Sequence, residues 1–266
     1  MSLAIITGAS SGMGAQFARE LSARYGICDF WFIARRGEKM TALAEELGVN
    51  AKIITADLGT REGIDKIKAE LLLEKPTVSY LINAAGFGVF GGFDEIGEGT
   101  AEGMIDLNVK ALVLITHAVI PYMERGGRII QLGSGSCFTP LPYFNVYAAS
   151  KSFVLHYTKA LSLEIKKYGI SATCFCPGWV GTEFLPKAKR DTGVTMPKKI
   201  FPVLNCEKVV RGALRAAKKR KRMYVTGKFT KFQHFLFKAI PDRILSSLWV
   251  LMLRKPKGDT KNEEKL

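Results

Sequence analysis

A doubly wound α/β fold, a seven-stranded parallel sheet with helices on both faces, is the class this sequence predicts. Three observations carry it. Short apolar runs alternate with longer stretches whose apolar residues recur at helical spacing. Several runs, such as Ala4-Ile5-Ile6 and Ile129-Ile130, are continuously apolar, as strands buried on both sides must be. A glycine-rich turn directly follows the first run.

In chain order the predicted strands are 3–7, 29–34, 52–56, 78–82, 128–132, 171–175 and 223–226. Between them, sets such as Ala15, Phe17, Ala18, Leu21 and Leu43, Ala44, Leu47 mark amphipathic helices. After the last strand come two further apolar stretches, around Phe232 to Phe237 and Ile244 to Met252, divided at Pro241. They read as an amphipathic helical extension. The predicted organisation is one domain over residues 1–227, the extension over 228–254, and a disordered tail over 255–266.

Composition narrows the function classes. The chain has 266 residues, 47% hydrophobic and 24% charged, which suits a globular domain with a substantial core and excludes a disordered or collagen-like protein. Its five cysteines, Cys28, Cys137, Cys174, Cys176 and Cys206, form no CxxC pair, so neither a disulfide framework nor a metal site is expected. The start, Met1-Ser2-Leu3-Ala4, lacks the basic region of a secretory signal, and the apolar stretch 244–253 is about half of the ~20 residues a spanning helix needs. The expected location is cytoplasmic, with peripheral membrane contact compatible with the extension.

The formal net charge is +15, and it is uneven: residues 187–266 hold 22 Lys and Arg against 6 Asp and Glu. A basic surface of this kind favours phosphate, an acidic ligand tail or anionic lipid. No nucleic-acid recognition motif accompanies it, so nucleic acid is not an expected partner.

The first turn reads Thr7-Gly8-Ala9-Ser10-Ser11-Gly12-Met13-Gly14. Glycines there let the backbone bend and approach a phosphate, and the N-terminus of the following helix offers free N–H groups to it. In dinucleotide sites an acid that holds the ribose 2′-hydroxyl is expected about 20 residues on, at the end of the second strand. Here Ala34 is followed by Arg35 and Arg36. Guanidinium groups match a 2′-phosphate, so the expected cofactor is NADP(H).

Tyr147 and Lys151 are four residues apart on a helix-like stretch and therefore share a face. An ammonium beside a phenol favours the phenolate, and a tyrosine tuned this way can exchange a proton with a carbonyl or alcohol oxygen. Tyr224 and Lys228 repeat the spacing in a strand-like context broken by Gly227, where the helical argument fails. Ser134 follows the strand 128–132, at the edge where open α/β sheets place ligands.

Taken together, these motifs resemble the short-chain dehydrogenase/reductase family over residues 3–227. Thr7–Gly14 resembles the family's TGxxxGxG loop, Asp57-Leu58 its adenine-contacting pair, and Asn83-Ala84-Ala85-Gly86 its NAAG motif. Asn108, Ser134, Tyr147 and Lys151 match its catalytic residues, and Pro177-Gly178 its turn after the sixth strand. The resemblance implies a Rossmann fold with Tyr147 as general acid/base and Lys151 lowering its pKa and binding the nicotinamide ribose. It implies that Ser134 polarises the substrate oxygen, and that Asn108 holds a helix kink and a water linked to Lys151. By the same resemblance Gly8, Ser10, Ser11, Gly12, Met13, Gly14, Arg35, Arg36, Asp57, Leu58, Asn83, Ala84, Gly86, Pro177, Gly178, Val180 and Thr182 are cofactor residues.

The loops expected around the pocket are apolar. Phe87, Val89, Phe90 and Phe93 follow the fourth strand, Phe138, Leu141, Tyr143 and Phe144 the fifth, and Trp179, Phe184 and Leu185 the sixth. Phe90, Phe138, Tyr143, Trp179 and Phe184 are the candidate substrate contacts, for a lipophilic molecule. The segment 181–206, with three prolines and five Lys or Arg, is the expected lid, and its charge suits an anionic substrate tail. A hydroxysteroid, the bile-acid type included, is the favoured substrate. Reduction of a 3-oxoacyl thioester, and a non-catalytic NADP-binding regulator or membrane-associated scaffold, are the alternatives. A homodimer or homotetramer is compatible with the resemblance.

Overall fold

In the computed structural model, residues 2–188, 203–236 and 240–253 are described. Seven strands, β1 (Leu3–Thr7), β2 (Asp29–Ala34), β3 (Asn50–Thr55), β4 (Val78–Asn83), β5 (Met123–Leu132), β6 (Ser171–Cys176) and β7 (Met223–Val225), form one sheet. Their order is β3-β2-β1-β4-β5-β6-β7, with every neighbouring pair parallel. The order reverses between β1 and β4, which opens a crevice at the carboxyl ends of the strands.

Strand periodicity explains the layering. Ala4 and Ile6 of β1, with Phe30 and Phe32 of β2, enter one apolar cluster; Leu3 and Ile5, with Trp31 and Ile33, enter the other. The first is covered by α1 (Gly12–Tyr25), α2 (Gly37–Leu47) and α8 (Cys206–Lys218) through Phe17, Leu21, Met40, Leu43 and Leu214. The second is covered by α3 (Arg61–Glu74), α5 (Leu112–Val119) and α6 (Asn145–Glu164) through Ile64, Ile67, Ile115 and Leu161. Both faces are thus shielded, as an all-parallel sheet requires.

Two strands begin earlier than their apolar pattern announces. β3 starts at Asn50, whose N–H bonds the Cys28 carbonyl at 2.9 Å, and β5 starts at Met123, paired with Val78. Asn50 of β3 and Glu124 to Gly127 of β5 carry no apolar side chain, so backbone pairing rather than a hydrophobic run extends these strands.

Between β4 and β5, α4 (Glu98–Ile105), a wide π-helical turn (Asp106–Ala111) and α5 run on as a continuous helical arm. The stretch Glu98–Tyr122 is long and apolar enough to cross a membrane. Here it packs into the body, burying Met104 in an aromatic cluster and Ile115 and Val119 against the sheet. The extension forms α9 (Lys228–Leu236) and α10 (Asp242–Met252) on either side of Pro241, after the short helix α7 (Phe184–Ala188) and α8. Tyr224 lies in β7 and Lys228 begins α9, so the second Tyr-x-x-x-Lys match is not on one helix. The predicted tail 255–266 and most of the predicted lid (189–202) lie outside the described residues.

Candidate active site

A cavity of about 600 Å³ runs along the carboxyl edge of the sheet, from the glycine-rich turn to α10. Its first half is a cradle of backbone. Gly8 has φ 70°, and a Cβ on it would lie 2.8 Å from the Ala85 nitrogen. Gly12 also has positive φ, and a Cβ on Gly14 would run into the Gly8 carbonyl. Ser10, Ser11, Met13, Ala84, Gly86, Pro177, Gly178, Val180 and Thr182 line this half with them. The donor set, free N–H groups at the start of α1 with guanidinium groups beside them, fits a dinucleotide phosphate.

The two arginines differ. Arg35 is 75% exposed and pairs with Asp57 at 3.7 Å. Arg36 donates to Ser10 Oγ at 3.2 Å and Ser11 Oγ at 2.7 Å, and reaches the Glu183 carboxylate at 3.3 Å. Lys39 approaches the same carboxylate at 3.6 Å. Asp57 and Leu58 line the cavity at its outer end.

Asn83 is displaced from its expected role. Its amide nitrogen donates to Thr116 Oγ1 and Gln131 Oε1, both at 2.9 Å, inside the core, and the residue does not line the cavity. It ends β4, where its side chain falls on the buried face; the cavity begins one residue later. It ties β4 to α5 and β5 beneath the cradle.

The second half carries the reactive groups. Tyr147 and Lys151 sit on one face of α6, with Lys151 Nζ 5.6 Å from the centre of the Tyr147 ring. Both are buried. Lys151 donates to the Leu132 carbonyl at 2.8 Å. Ser134, just after β5, lies on the same cavity as Tyr147, bears on its phenol's pKa, and accepts from the Ser136 N–H at 3.2 Å. Asn108 lies behind them in the π-helical turn and does not line the cavity. Its Oδ1 accepts from Phe87 N–H at 3.0 Å, and its Nδ2 donates to the Phe87 carbonyl at 2.8 Å and Ser150 Oγ at 3.1 Å. Ser150 in turn donates to the Tyr147 carbonyl at 2.7 Å. Ser150 is therefore a link between Asn108 and α6.

The electrostatics correct one expectation. Burial raises the Tyr147 phenol well above its ordinary value, and Ser134 only partly opposes this. Burial also lowers Lys151, to about 8. With Lys151 bonded to Leu132, desolvation outweighs any pull of the ammonium on the phenol, so the tyrosine stays protonated at neutral pH. Cys174 and Cys176, beside Lys151, are buried thiols pushed well upward, Cys174 by its contact with Cys176, Cys176 by its contact with Cys137, and both by burial, hence unreactive packing groups.

Of the five aromatic substrate candidates, Trp179 and Phe184 line the cavity. Phe90 does not: it is fully buried, stacked under Phe144 at 3.9 Å. Phe138 packs against His234 at 4.1 Å instead, and Tyr143 supports the same aromatic cluster from outside the cavity. Those loops fold back on themselves, so only part of each faces inward. The residues that take their place are Phe87, Leu141 and Phe144, with Leu245, Leu248, Trp249 and Met252 from α10. The Trp249 indole N–H donates to the Pro142 carbonyl at 2.8 Å, and Ser246 to that of Pro140 at 3.1 Å, which fastens α10 across this end. No cluster able to hold a metal occurs among the described residues.

The family model described as short chain dehydrogenase matches residues 2–193. The chain is a short-chain dehydrogenase/reductase. Among curated members, it is 36% identical to mouse 17-beta-hydroxysteroid dehydrogenase type 3 over 188 residues, which span 67% of this chain and 60% of that protein. It is 34% identical to the very-long-chain 3-oxoacyl-CoA reductase of Anas platyrhynchos over 192 residues, 68% of this chain and 60% of that protein. A solved short-chain dehydrogenase from Sphingobium yanoikuyae in complex with NADPH is 28% identical, with a TM-score of 0.76, covering 98% of this chain and all of that one. This member of the family is an oxidoreductase with a nicotinamide-cofactor fold. The family-model match ends at residue 193, ahead of α8, β7, α9 and α10, while the Sphingobium yanoikuyae structure covers 98% of the chain.

Proposed function

We propose that this protein interconverts a secondary alcohol and a ketone on a lipophilic substrate, with NADP(H) as cofactor and a hydroxysteroid as the favoured substrate. The observation that carries the reading is the convergence of Ser134, Tyr147 and Lys151 on one cavity whose wall beyond them, toward α10, is mostly apolar. In the reducing direction the protonated Tyr147 gives its proton to the carbonyl oxygen, and the Ser134 hydroxyl donates a second hydrogen bond to it. Lys151, charged below about pH 8, stabilises the phenolate left behind. Asn108 and Ser150 hold α6 and the 86–88 loop in register, acting through Tyr147 and Lys151. A bound nicotinamide supplies or accepts the hydride. Choice of NADP(H) rests on Arg36, already oriented by two serines, with Arg35 and Lys39 nearby.

The test is Tyr147→Phe. Turnover of a hydroxysteroid panel with NADP should fall by at least about a thousandfold, while NADPH binding followed by fluorescence is retained. Activity close to the parent enzyme would remove the assigned acid. The similarity to a 3-oxoacyl-CoA reductase favours a second reading, acyl thioester reduction. Steroid ketones and 3-oxoacyl thioesters assayed side by side separate the two.

A further inference from the structure

The mouth of the cavity is built from α9 and α10, and it is greasy on the outside as well as the inside. Phe232 and Leu248 line the cavity yet are 61% and 49% exposed, so they stand on its rim. Around that rim, Phe235 is 75%, Ile244 51% and Leu251 80% exposed. Ile244, Leu248 and Leu251 fall at i, i+4 and i+7, one stripe of α10, while Leu245 and Trp249 of the same helix are buried against the body. The helix therefore has two apolar sides and spends only one on folding. Exposed aromatics and leucines gathered in one place mark an interaction site.

Charge identifies the occupant. Over α9 and α10 the sequence carries Lys228, Lys231 and Arg243 against one acid, Asp242. Of these, Lys231 and Arg243 are exposed on α9 and α10 among the apolar residues. Apolar side chains interleaved with cations on a short helix pair match an anionic bilayer, where the former enter the acyl boundary and the latter meet headgroups. A second copy of this chain would bring a like-charged surface against the same cations. The compact basic run Lys218–Arg222 lies at the start of β7, at the opposite edge of the sheet from the cavity, and is no part of this surface.

We propose that the outward face of α9 and α10 docks on an anionic lipid surface, so that the cavity opens onto the bilayer and takes a lipophilic substrate from it. The docking stands on its own; the route of substrate entry rests on the function proposed above.

The experiment uses the full chain and vesicles of phosphatidylcholine alone or mixed with phosphatidylserine. The protein should sediment with the mixed vesicles, more weakly with the neutral ones, and less as salt is raised. Phe235→Glu combined with Leu251→Glu touches no cavity-lining position. It should lower vesicle partitioning by at least about tenfold while leaving turnover of a small water-soluble ketone unchanged. Wild-type protein remaining in the supernatant, or the double variant sedimenting equally well, overturns the proposal. So does a dimer seen by sedimentation velocity that the double variant dissolves without any vesicle binding. Vesicle binding is read without turnover, so an inactive protein that still binds would overturn the enzymatic reading alone.

Discussion

Gly88→Ala isolates the placement of the tyrosine from its chemistry. An added Cβ would lie 2.5 Å from Tyr147 Cδ2, 2.8 Å from its Cγ and 3.1 Å from Phe144 Cε2. Ordinary carbon contacts begin near 3.4 Å, so the ring must retreat by about 1 Å. Retreat is obstructed, because Phe144 stacks on Tyr147 at 4.4 Å and Phe90 stacks on Phe144 at 3.9 Å. A misplacement of about 1 Å at a reacting group costs on the order of 100-fold in rate, or about 2.7 kcal/mol of transition-state stabilisation. Overpacking should also cost roughly 1–3 kcal/mol of stability, a melting point lower by several degrees. The control is Gly99→Ala, where a Cβ meets nothing within 4 Å. The assay is steady-state ketone reduction at saturating NADPH, with thermal melts and fluorescence titration of the cofactor. Both variants should bind NADPH, and only Gly88→Ala should lose turnover. A Gly88→Ala enzyme within about threefold of the parent would mean that the ring position seen here is not the working one.

Arg36→Leu removes a charged donor worth about 1.5–3 kcal/mol to a phosphate, so the NADPH dissociation constant should rise roughly 10- to 150-fold while that of NADH hardly changes. Glu183→Gln acts in the opposite sense: it withdraws a carboxylate that shares Arg36 and Lys39, and NADPH should bind a few times more tightly. Isothermal titration with both cofactors reads both effects, and equal losses for NADPH and NADH in Arg36→Leu would refute the assignment. For pH, burial lowers Lys151 to about 8, so between that value and the ordinary lysine range this ammonium is lost where an exposed one would persist. The kcat/KM for ketone reduction should be level on the acid side and fall as pH rises through about 8, and Lys151→Met should abolish that limb.

Much of this molecule can be read along the chain because parallel strands buried on both faces leave an unambiguous apolar signature. The site motifs are legible for a related reason: glycines at a phosphate turn and a Tyr–Lys pair at helical spacing are local patterns with local geometry. The failures arise where long-range packing decides. Asn83 belongs to a motif on the cavity's border, but strand alternation turns it into the core toward Thr116 and Gln131. Phe90 and Phe144 are equally aromatic in the sequence, and only the stacking order determines which of them meets the cavity. The Tyr147–Lys151 spacing announces proximity, yet the sign of the phenol's shift depends on how deeply α6 is buried. Gly88 gave no signal at all, since its importance lies in what its missing side chain spares.

The π-helical turn at Asp106–Ala111 has a consequence for how this arm tolerates change. An extra residue accommodated within one widened turn leaves the helix before it and the helix after it in phase, with Asn108 at the seam. Deleting a single residue there would heal the turn into regular α-helix with both sides nearly in phase, whereas a further inserted residue would swing one side of the seam by about 100° relative to the other. Either the Met104 side would leave its aromatic cluster or the Ile115 side would leave the sheet. Side-chain substitutions in this arm are thus a matter of degree, whereas a further added residue is not.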